Sequence, residues 1–338
     1  MNFLLYIIIG ILIIIIFFPK KGLYWNSRKS IRNQEKIIIE DILKLIFNYE
    51  YKDLVCDINE IHSNIPFNEK NVNQKLEQAI NLNLIFNDRG MYKLTNEGRK
   101  YAVKIVRFHR LWERYLADET GIDSLNWHKT ADKFEHFISE SEANDLAGKI
   151  GNPVFDPHGD PIPTIDGAIP EFQGSTLNIF KKGDFLEVTH IEDEPDAIYK
   201  EVISFGFYPG MHLEIQDVSQ KVIRVYGAGK SMKISNKIAS NITAKLIEKI
   251  DFKANKLRLS NLKIGQSAII ESISPSTRGL ERRRLMDLGI VPGTEIIPLM
   301  KSPGGDPIAY NILDAGIALR KKQADNIFIT SKENENDE

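Results

Sequence analysis

The pattern of apolar and polar positions divides the chain into unlike stretches. Phe3 to Phe18 reads FLLYIIIGILIIIIFF, about 24 Å of helix at roughly 1.5 Å per residue. That is shorter than the roughly 20 residues that usually cross a bilayer, but Lys20 and Lys21 follow and can snorkel to headgroups. The charges come after the run and Phe17 and Phe18 close it, which fits an uncleaved anchor better than a cleaved signal peptide. Cleavage would instead give a secreted or periplasmic metal-binding protein. With Lys20, Lys21, Arg28, Lys29 and Arg32 on the C-terminal side, the expected placement is single-pass in the inner (cytoplasmic) membrane, body in the cytoplasm.

After a basic juxtamembrane linker over 20–34, helical periodicity takes over. Glu35 to Tyr49 has Ile38, Ile42, Leu45 and Ile46 at helical spacing, Asp57 to Ile65 is a short helix stopped by Pro66, and Asn68 to Asn81 turns Val72, Leu76, Ala79 and Ile80 inward. Leu84–Phe86 and Met91–Leu94 flank Asn87-Asp88-Arg89-Gly90, two short strands around a tight turn. A long helix starts at Thr95-Asn96-Glu97 and runs to about Thr120. Helix, helix, helix, hairpin, helix is the plan of a winged helix-turn-helix, expected over 35–107. A further helix is expected from Trp127 to His136 and another from Ser139, where a Ser cap precedes acidic residues. Gly151 to Gly174 is rich in Gly, Pro and Asp and reads as loop or linker.

Beyond it the pattern becomes strand-like and repeats. Phe205-Gly206-Phe207-Tyr208-Pro209-Gly210 recurs as Leu288-Gly289-Ile290-Val291-Pro292-Gly293, two copies of one small β module. The fold class expected is therefore multidomain α+β. It comprises a transmembrane anchor (1–19), the linker (20–34), the winged helix (35–107), metal-binding and dimerisation helices (108–165), two SH3-like β-barrel modules (175–250 and 256–331) and an acidic tail (332–338).

Composition changes this picture little. Of 338 residues, 42% are apolar and 27% charged, which excludes wholesale disorder. The net charge of −2 means that any nucleic-acid surface is a local patch. The single cysteine, Cys56, excludes an intrachain disulfide and a cysteine-based zinc site, and reads as core. Any metal must be held by oxygen and imidazole.

Such donors are concentrated in one place. His128, Asp132, Glu135 and His136 stand at relative positions 0, 4, 7 and 8, within about 100° of arc if helical. They cover about 12 Å of axis, enough for two adjacent ions but too long for one. His109 and Glu113 share a face of the preceding helix. A single i,i+4 pair is ordinarily a solvated ion pair, but burying six such groups without a cation costs several kcal/mol per ion, so a divalent-metal site is expected. No catalytic triad, phosphate loop or activated cysteine stands out, so an enzyme is not expected.

The run HRLWERYLADETGIDSLNWHKTADKFEHFISE, followed by NPVFDPHGDPIP, resembles the metal-dependent repressors of the DtxR/MntR family. The resemblance places His109, Glu113 and His128 at an ancillary metal site and Asp132, Glu135 and His136 at a primary sensing site. Asp41, in EDILKLIF, falls on the family's first-helix ligand. Oxygen at Asp132, where iron-sensing members carry Cys and manganese-sensing members carry Glu, favours Mn²⁺ or Fe²⁺, two sites per subunit. The ancillary ligands from the β module are not clearly matched: Ile198 falls where an amide is expected, and Glu194 and Asp196 are the nearby acids that could substitute.

The resemblance implies a homodimer binding double-stranded operator DNA. The residues offered for DNA are Asn68, Lys70, Asn71, Asn73, Gln74 and Lys75 on the recognition helix and Arg89 on the wing. Residues Leu259 to Ile329, through SNLKIGQSAIIESI, LERRRLMDLGIVPGTEI and ALRKKQADNIFI, resemble FeoA, the cytosolic partner of ferrous-iron transport. Arg282, Arg283 and Arg284 read as a solvated face, or as one that meets acidic protein or lipid headgroups. The function expected is a membrane-tethered, metal-dependent transcriptional regulator, with inner-membrane lipid and an iron transporter as further partners. The alternative is a metal-responsive adaptor regulating the transporter through its FeoA-like modules without binding DNA.

Overall fold

The computed structural model describes residues 23–171, 173–249 and 257–331. The apolar run Phe3–Phe18 and the acidic tail lie outside them. Among the described residues no helix is long and apolar enough to cross a membrane. That finding overturns the expected inner-membrane placement. The first described helix, α1 (Leu23–Tyr51), is dotted with charged residues from Arg28 to Glu50. It also replaces most of the expected linker, because no Pro or Gly interrupts the chain from Leu23 to Tyr51.

The chain forms two compact units. The first contains the described residues up to His109, with Asp132–Ser139 and Pro163–Ala168. Its elements are α1, α2 (Ile58–Asn64), α3 (Glu69–Asn81), β1 (Ile85–Asp88), β2 (Met91–Leu94) and the first part of α4 (Asn96–Glu119). Ile38, Ile42, Leu43, Ile46 and Phe47 form the buried stripe of α1, at helical spacing. The helix packs on α2, α3 and β2, beside buried Ile61, Val72, Leu76, Ala79 and Leu94. Burying each such side chain stabilises the unit by about 1.5–3 kcal/mol. Local signals set the ends: Asp57 accepts from the Asn59 and Glu60 amides to cap α2, and Asn68 from the Lys70 amide to cap α3. In the hairpin turn Arg89 and Gly90 both have positive φ, 55° and 90°, as a two-residue turn matching the strand twist requires.

The second unit contains Arg110–Ala131, Glu140–Ile162 and the chain from Ile169. It holds the rest of α4, most of α5 (Trp127–Phe134), α6 (Glu140–Lys149) and two six-stranded sheets. The first sheet comprises β3 (Ser175–Thr176), β4 (Phe185–Ile191), β5 (His212–Val218), β6 (Val222–Gly227), β7 (Lys230–Ser235) and β8 (Ile242–Leu246). Its spatial order is β3-β8-β4-β5-β6-β7, with Leu186, Val188, Leu213, Ile215, Val225 and Ile234 among its core residues. The second comprises β9 (Leu257–Arg258), β10 (Ala268–Ile273), β11 (Glu295–Lys301), β12 (Ile308–Ile312), β13 (Ala315–Leu319) and β14 (Ile327–Ser331), ordered β13-β12-β11-β10-β14-β9.

The repeated sequence performs the same turn in each sheet domain. Helix α7 (Asp196–Phe205) ends at Gly206 and is followed by Gly210; α8 (Asn236–Ala239) is a single short turn; α9 (Gly279–Asp287) is followed by Gly289 and Gly293. All four glycines have φ between 85° and 89°. The start of α9 lies against the end of α4: the Leu280 amide donates to Thr120 O, Arg278 pairs with Asp118 at 2.8 Å and Arg283 with Glu119 at 2.7 Å. Arg283 is thus partnered within its own unit rather than merely solvated.

Candidate metal centres

The donors predicted as one cluster are divided between the two units. Helix α5 ends at Phe134, so Glu135 and His136 lie in the turn after it and the expected single four-residue helix face does not form. His128 belongs to the second unit, and Asp132, Glu135 and His136 to the first. His109 and Glu113, one helical turn apart on α4, are divided in the same way.

In the first centre, α1 supplies Glu40, Asp41 and Lys44. The His136 ring joins this helix to the turn: its Nε2 lies 3.2 Å from Asp41 Oδ1 and 3.7 Å from Glu135 Oε1, while its Nδ1 lies 2.8 Å from Glu40 Oε2. Asp41, Glu135 and His136 are close enough together to share one ion. Glu40, which also accepts from the Tyr101 hydroxyl, was not singled out from the sequence. As partner of Nδ1 it fixes the ring so that Nε2 faces the other two donors. Burial works against a charge on His136, but hydrogen bonds with Asp41 and Glu40 outweigh it and raise its pKa to about 9. Burial raises the Asp41 pKa above the ordinary carboxylate value despite His136.

Beside this group, Lys44 Nζ sits 2.8 Å from Asp132 Oδ1, 3.0 Å and 3.2 Å from the two Glu135 oxygens, and 2.9 Å from His109 Nδ1. Burial opposes its charge, yet Glu135 and Asp132 hold the ammonium above the ordinary lysine value. Burial would raise the Glu135 pKa, but Lys44 and His109 bring it below the usual carboxylate value.

The second centre draws on four segments. Glu113 comes from α4, His128 from α5, Asp193 and Glu194 from the loop after β4, and Asp156 and His158 from the Gly151–Gly174 stretch read as loop or linker. His128 Nδ1 is 3.0 Å from Asp193 Oδ2 and 3.2 Å from Glu113 Oε1; its Nε2 is 3.4 Å from Glu194 Oε1. These hydrogen bonds overcome burial and raise the His128 pKa far above its ordinary value. The β-module acid that comes within reach of this centre is Asp193, with Glu194 beside it. Asp196 pairs with Lys129 instead.

Asp156-Pro157-His158-Gly159-Asp160 is a folded knot. Asp156 Oδ1 accepts from the His158, Gly159 and Asp160 amides at 2.8–2.9 Å. Arg110 donates to Pro161 O at 2.6 Å and lies 3.3 Å from Asp160, which also meets His190 at 3.2 Å. Gly159 has φ 102°, and a Cβ there would stand 2.1 Å from Thr189 O, so only glycine lets the loop approach β4 this closely.

The knot holds His158 at 2% exposure, edge-on to Tyr199. Neither ring nitrogen has a hydrogen-bond partner among the described residues, and the nearest acids are Asp193 at 3.7 Å and Glu113 at 3.9 Å. Burial, then Asp160 and Glu113, push the Asp156 pKa well above the carboxylate range. An orphaned imidazole facing surplus buried carboxylates fits a bound divalent cation, which would satisfy both. A signal was present in the sequence: two acids and a histidine within five residues between prolines and a glycine.

The family comparisons fall on these segments. Residues 95–164 match the iron dependent repressor, metal binding and dimerisation domain, and 257–331 match the FeoA domain. In these two segments the chain is similar to the DtxR/MntR repressors and to FeoA. It is 39% identical over 73 residues to the iron-dependent repressor IdeR of Mycobacterium bovis, covering 22% of this chain and 32% of that protein. Against IdeR of Mycobacterium leprae it is 39% identical over 119 residues, 31% of this chain and 52% of that protein. The chain thus spans about a third to a half of the length of these curated relatives. A manganese-dependent transcriptional repressor solved in complex with manganese superposes with TM-score 0.56 at 26% identity, over 62% of this chain and 99% of that one. The chain therefore has a repressor-like fold over that stretch, with an FeoA match over its second sheet.

The residues expected to read DNA are placed unevenly. Lys70, Asn71, Asn73, Gln74 and Arg89 are exposed, although Asn73 Oδ1 lies 2.8 Å from His62 Nε2. Asn68 is exposed but its side chain caps α3. Lys75 is 5% exposed, bonded to Gln78 and 3.3 Å from Glu35. Its aliphatic stem lies on the buried face of α3, so it is withdrawn from the DNA-facing set.

Proposed function

We propose that this chain is a Mn²⁺- or Fe²⁺-dependent DNA-binding transcriptional regulator of metal homeostasis that works as a homodimer, rather than an enzyme. The observation that supports this reading best is the joining of Asp41, on a helix of the winged-helix unit, to Glu135 and His136, which belong to the metal-binding and dimerisation segment. Asp41, Glu135 and His136 would hold one ion, with Asp132 and His109 beside them. Glu113, Asp156, His158, Asp193 and His128 would hold another. Hard oxygen and imidazole without thiolate suit Mn²⁺ and Fe²⁺, the ions named for the relatives.

A bound dication supplies charge that two or more acids and an imidazole can share. The chain supplies the rest: α1 cannot swing away from the turn at Glu135 and His136 while all three donors are engaged, so the winged helix would be held to that turn. Two such units at fixed spacing present α3 to successive major grooves, with Lys70, Asn71, Asn73, Gln74 and Asn68 towards the DNA and Arg89 at the wing. Metal binding thereby selects one arrangement of a protein that otherwise samples several.

Footprinting with residues 23–338, with and without Mn²⁺ or Fe²⁺, tests this. A protected palindrome that appears only with metal and disappears in His136→Ala is expected. Metal binding with no protected DNA would leave the FeoA domain as the output and the regulator reading wrong.

A further inference from the structure

We propose that Lys44 is a built-in cation of the first centre, filling the second of two adjacent positions so that this centre takes a single divalent ion at Asp41, Glu135 and His136. The inference rests on the metal-binding reading above and adds a count and a role to it.

Two adjacent cation positions lie within the first unit. One is the group of Asp41, Glu135 and His136. The other is the space between His109, Asp132 and Glu135, where the Lys44 ammonium lies within 3.2 Å of all three side chains. An ammonium has three N–H donors and no acceptor, and three side chains surround this one. Glu135 borders both positions, as a carboxylate shared between two cations does. The arm is anchored by the buried stripe of α1, so the charge arrives with the fold and needs no free ion.

The charges agree with one ion. Four carboxylates meet in this region, those of Glu40, Asp41, Asp132 and Glu135. Lys44 lies on two of them and Lys36 is 3.3 Å from Glu40. Two ammonium groups and one dication balance four carboxylates, whereas a second dication leaves a surplus of two positive charges at the centre. Lys44 therefore determines how many ions the centre holds, and it keeps Asp132 and Glu135 drawn together before any metal arrives.

The test counts Mn²⁺ bound per full-length chain by titration, with electron paramagnetic resonance to detect ions close enough to couple. Lys44→Glu, which replaces the ammonium with a carboxylate, is expected to bind one more Mn²⁺ than the wild type and to gain a coupled signal. Lys44→Arg keeps the charge and should bind the wild-type number. An unchanged count in Lys44→Glu, or a gained ion in Lys44→Arg, overturns the proposal. Should Lys44→Glu not fold, Glu135→Ala decides, because Glu135 borders both positions. Loss of one ion relative to wild type supports the proposal, and loss of two overturns it while leaving metal binding intact. Loss of none overturns the metal reading as well.

Discussion

In the first centre a lysine ammonium lies between His109, Asp132 and Glu135, so the acids are compensated within the fold. In the second, Glu113, Asp156 and Asp193 gather around His128 and His158. Of the guanidinium groups bonded to that loop, Arg110 is directed to Asp160 and Pro161 and Arg114 to the Phe155 carbonyl. Among the described residues His158 keeps both ring nitrogens buried and without a hydrogen-bond partner. The same donor types thus produce a centre that is settled without metal and one that carries an unmet demand for it. Metal should consequently act more as a clamp on the first unit and more as a stabiliser of the second.

The sharpest way to break that contrast is to remove the resident cation from one centre and the orphaned ring from the other. Lys44→Met leaves Glu135, 3% exposed, without its main counter-charge. The metal-free protein should lose about 3–5 kcal/mol, seen as an earlier denaturant midpoint for the first unit. His158→Leu fills nearly the same volume against Tyr199 and removes two unsatisfied nitrogens. It should change metal-free stability by no more than about 1 kcal/mol, yet abolish the part of Mn²⁺-induced stabilisation that belongs to the second unit. Equal metal-free losses in the two variants would dissolve the distinction.

A smaller effect follows from pH. The folded pKa of His136 is raised to about 9, burial notwithstanding, by Asp41 and Glu40. Its contribution to metal-free stability is therefore complete below the ordinary histidine value of about 6.5 and disappears as pH rises through about 9, a change of at most about 3 kcal/mol. Metal at Nε2 competes with that proton, so Mn²⁺ affinity at the first centre should rise over the same window. Calorimetry in chelator and in Mn²⁺ should give curves that diverge as pH increases; parallel curves would show that His136 is not a donor.

The sequence made some of this legible and hid the rest for physical reasons. Caps, turn and repeat were readable because Asp57, Asn68, Arg89-Gly90 and the paired Gly-x-x-Pro-Gly runs act over a few residues. Glu135 and His136 were found from their spacing and Asp41 through a resemblance, and the first-unit geometry brings the three together. Asp156 and His158 carried a local signal in Asp-Pro-His-Gly-Asp, but Asp193 was missed because its grouping with them depends on a close backbone approach between Gly159 and Thr189, which no local pattern encodes. Lys75 and Lys44 misled or escaped the reading for a shared reason: a lysine on an amphipathic helix looks solvent-facing until its partners, Glu35 and Gln78 or Asp132 and Glu135, are known.

Glu40 sharpens the comparison at the level of a single hydrogen bond. It touches His136 through Nδ1, on the side of the ring away from Asp41 and Glu135, and Tyr101 steadies it from behind. At His128 the Nε2 contact is with Glu194, an exposed side chain. Glu40→Gln keeps size and hydrogen bonding but removes the charge that increases the basicity of the ring. Mn²⁺ affinity at the first centre should fall by about tenfold, the usual scale for a partner behind a metal-binding histidine, while Glu194→Gln should alter the second centre by less. Both are read by titration calorimetry. An equal or larger loss in Glu194→Gln would mean that the second centre is oriented as firmly as the first, and that its orphaned histidine is not a sign of a site waiting for its ion.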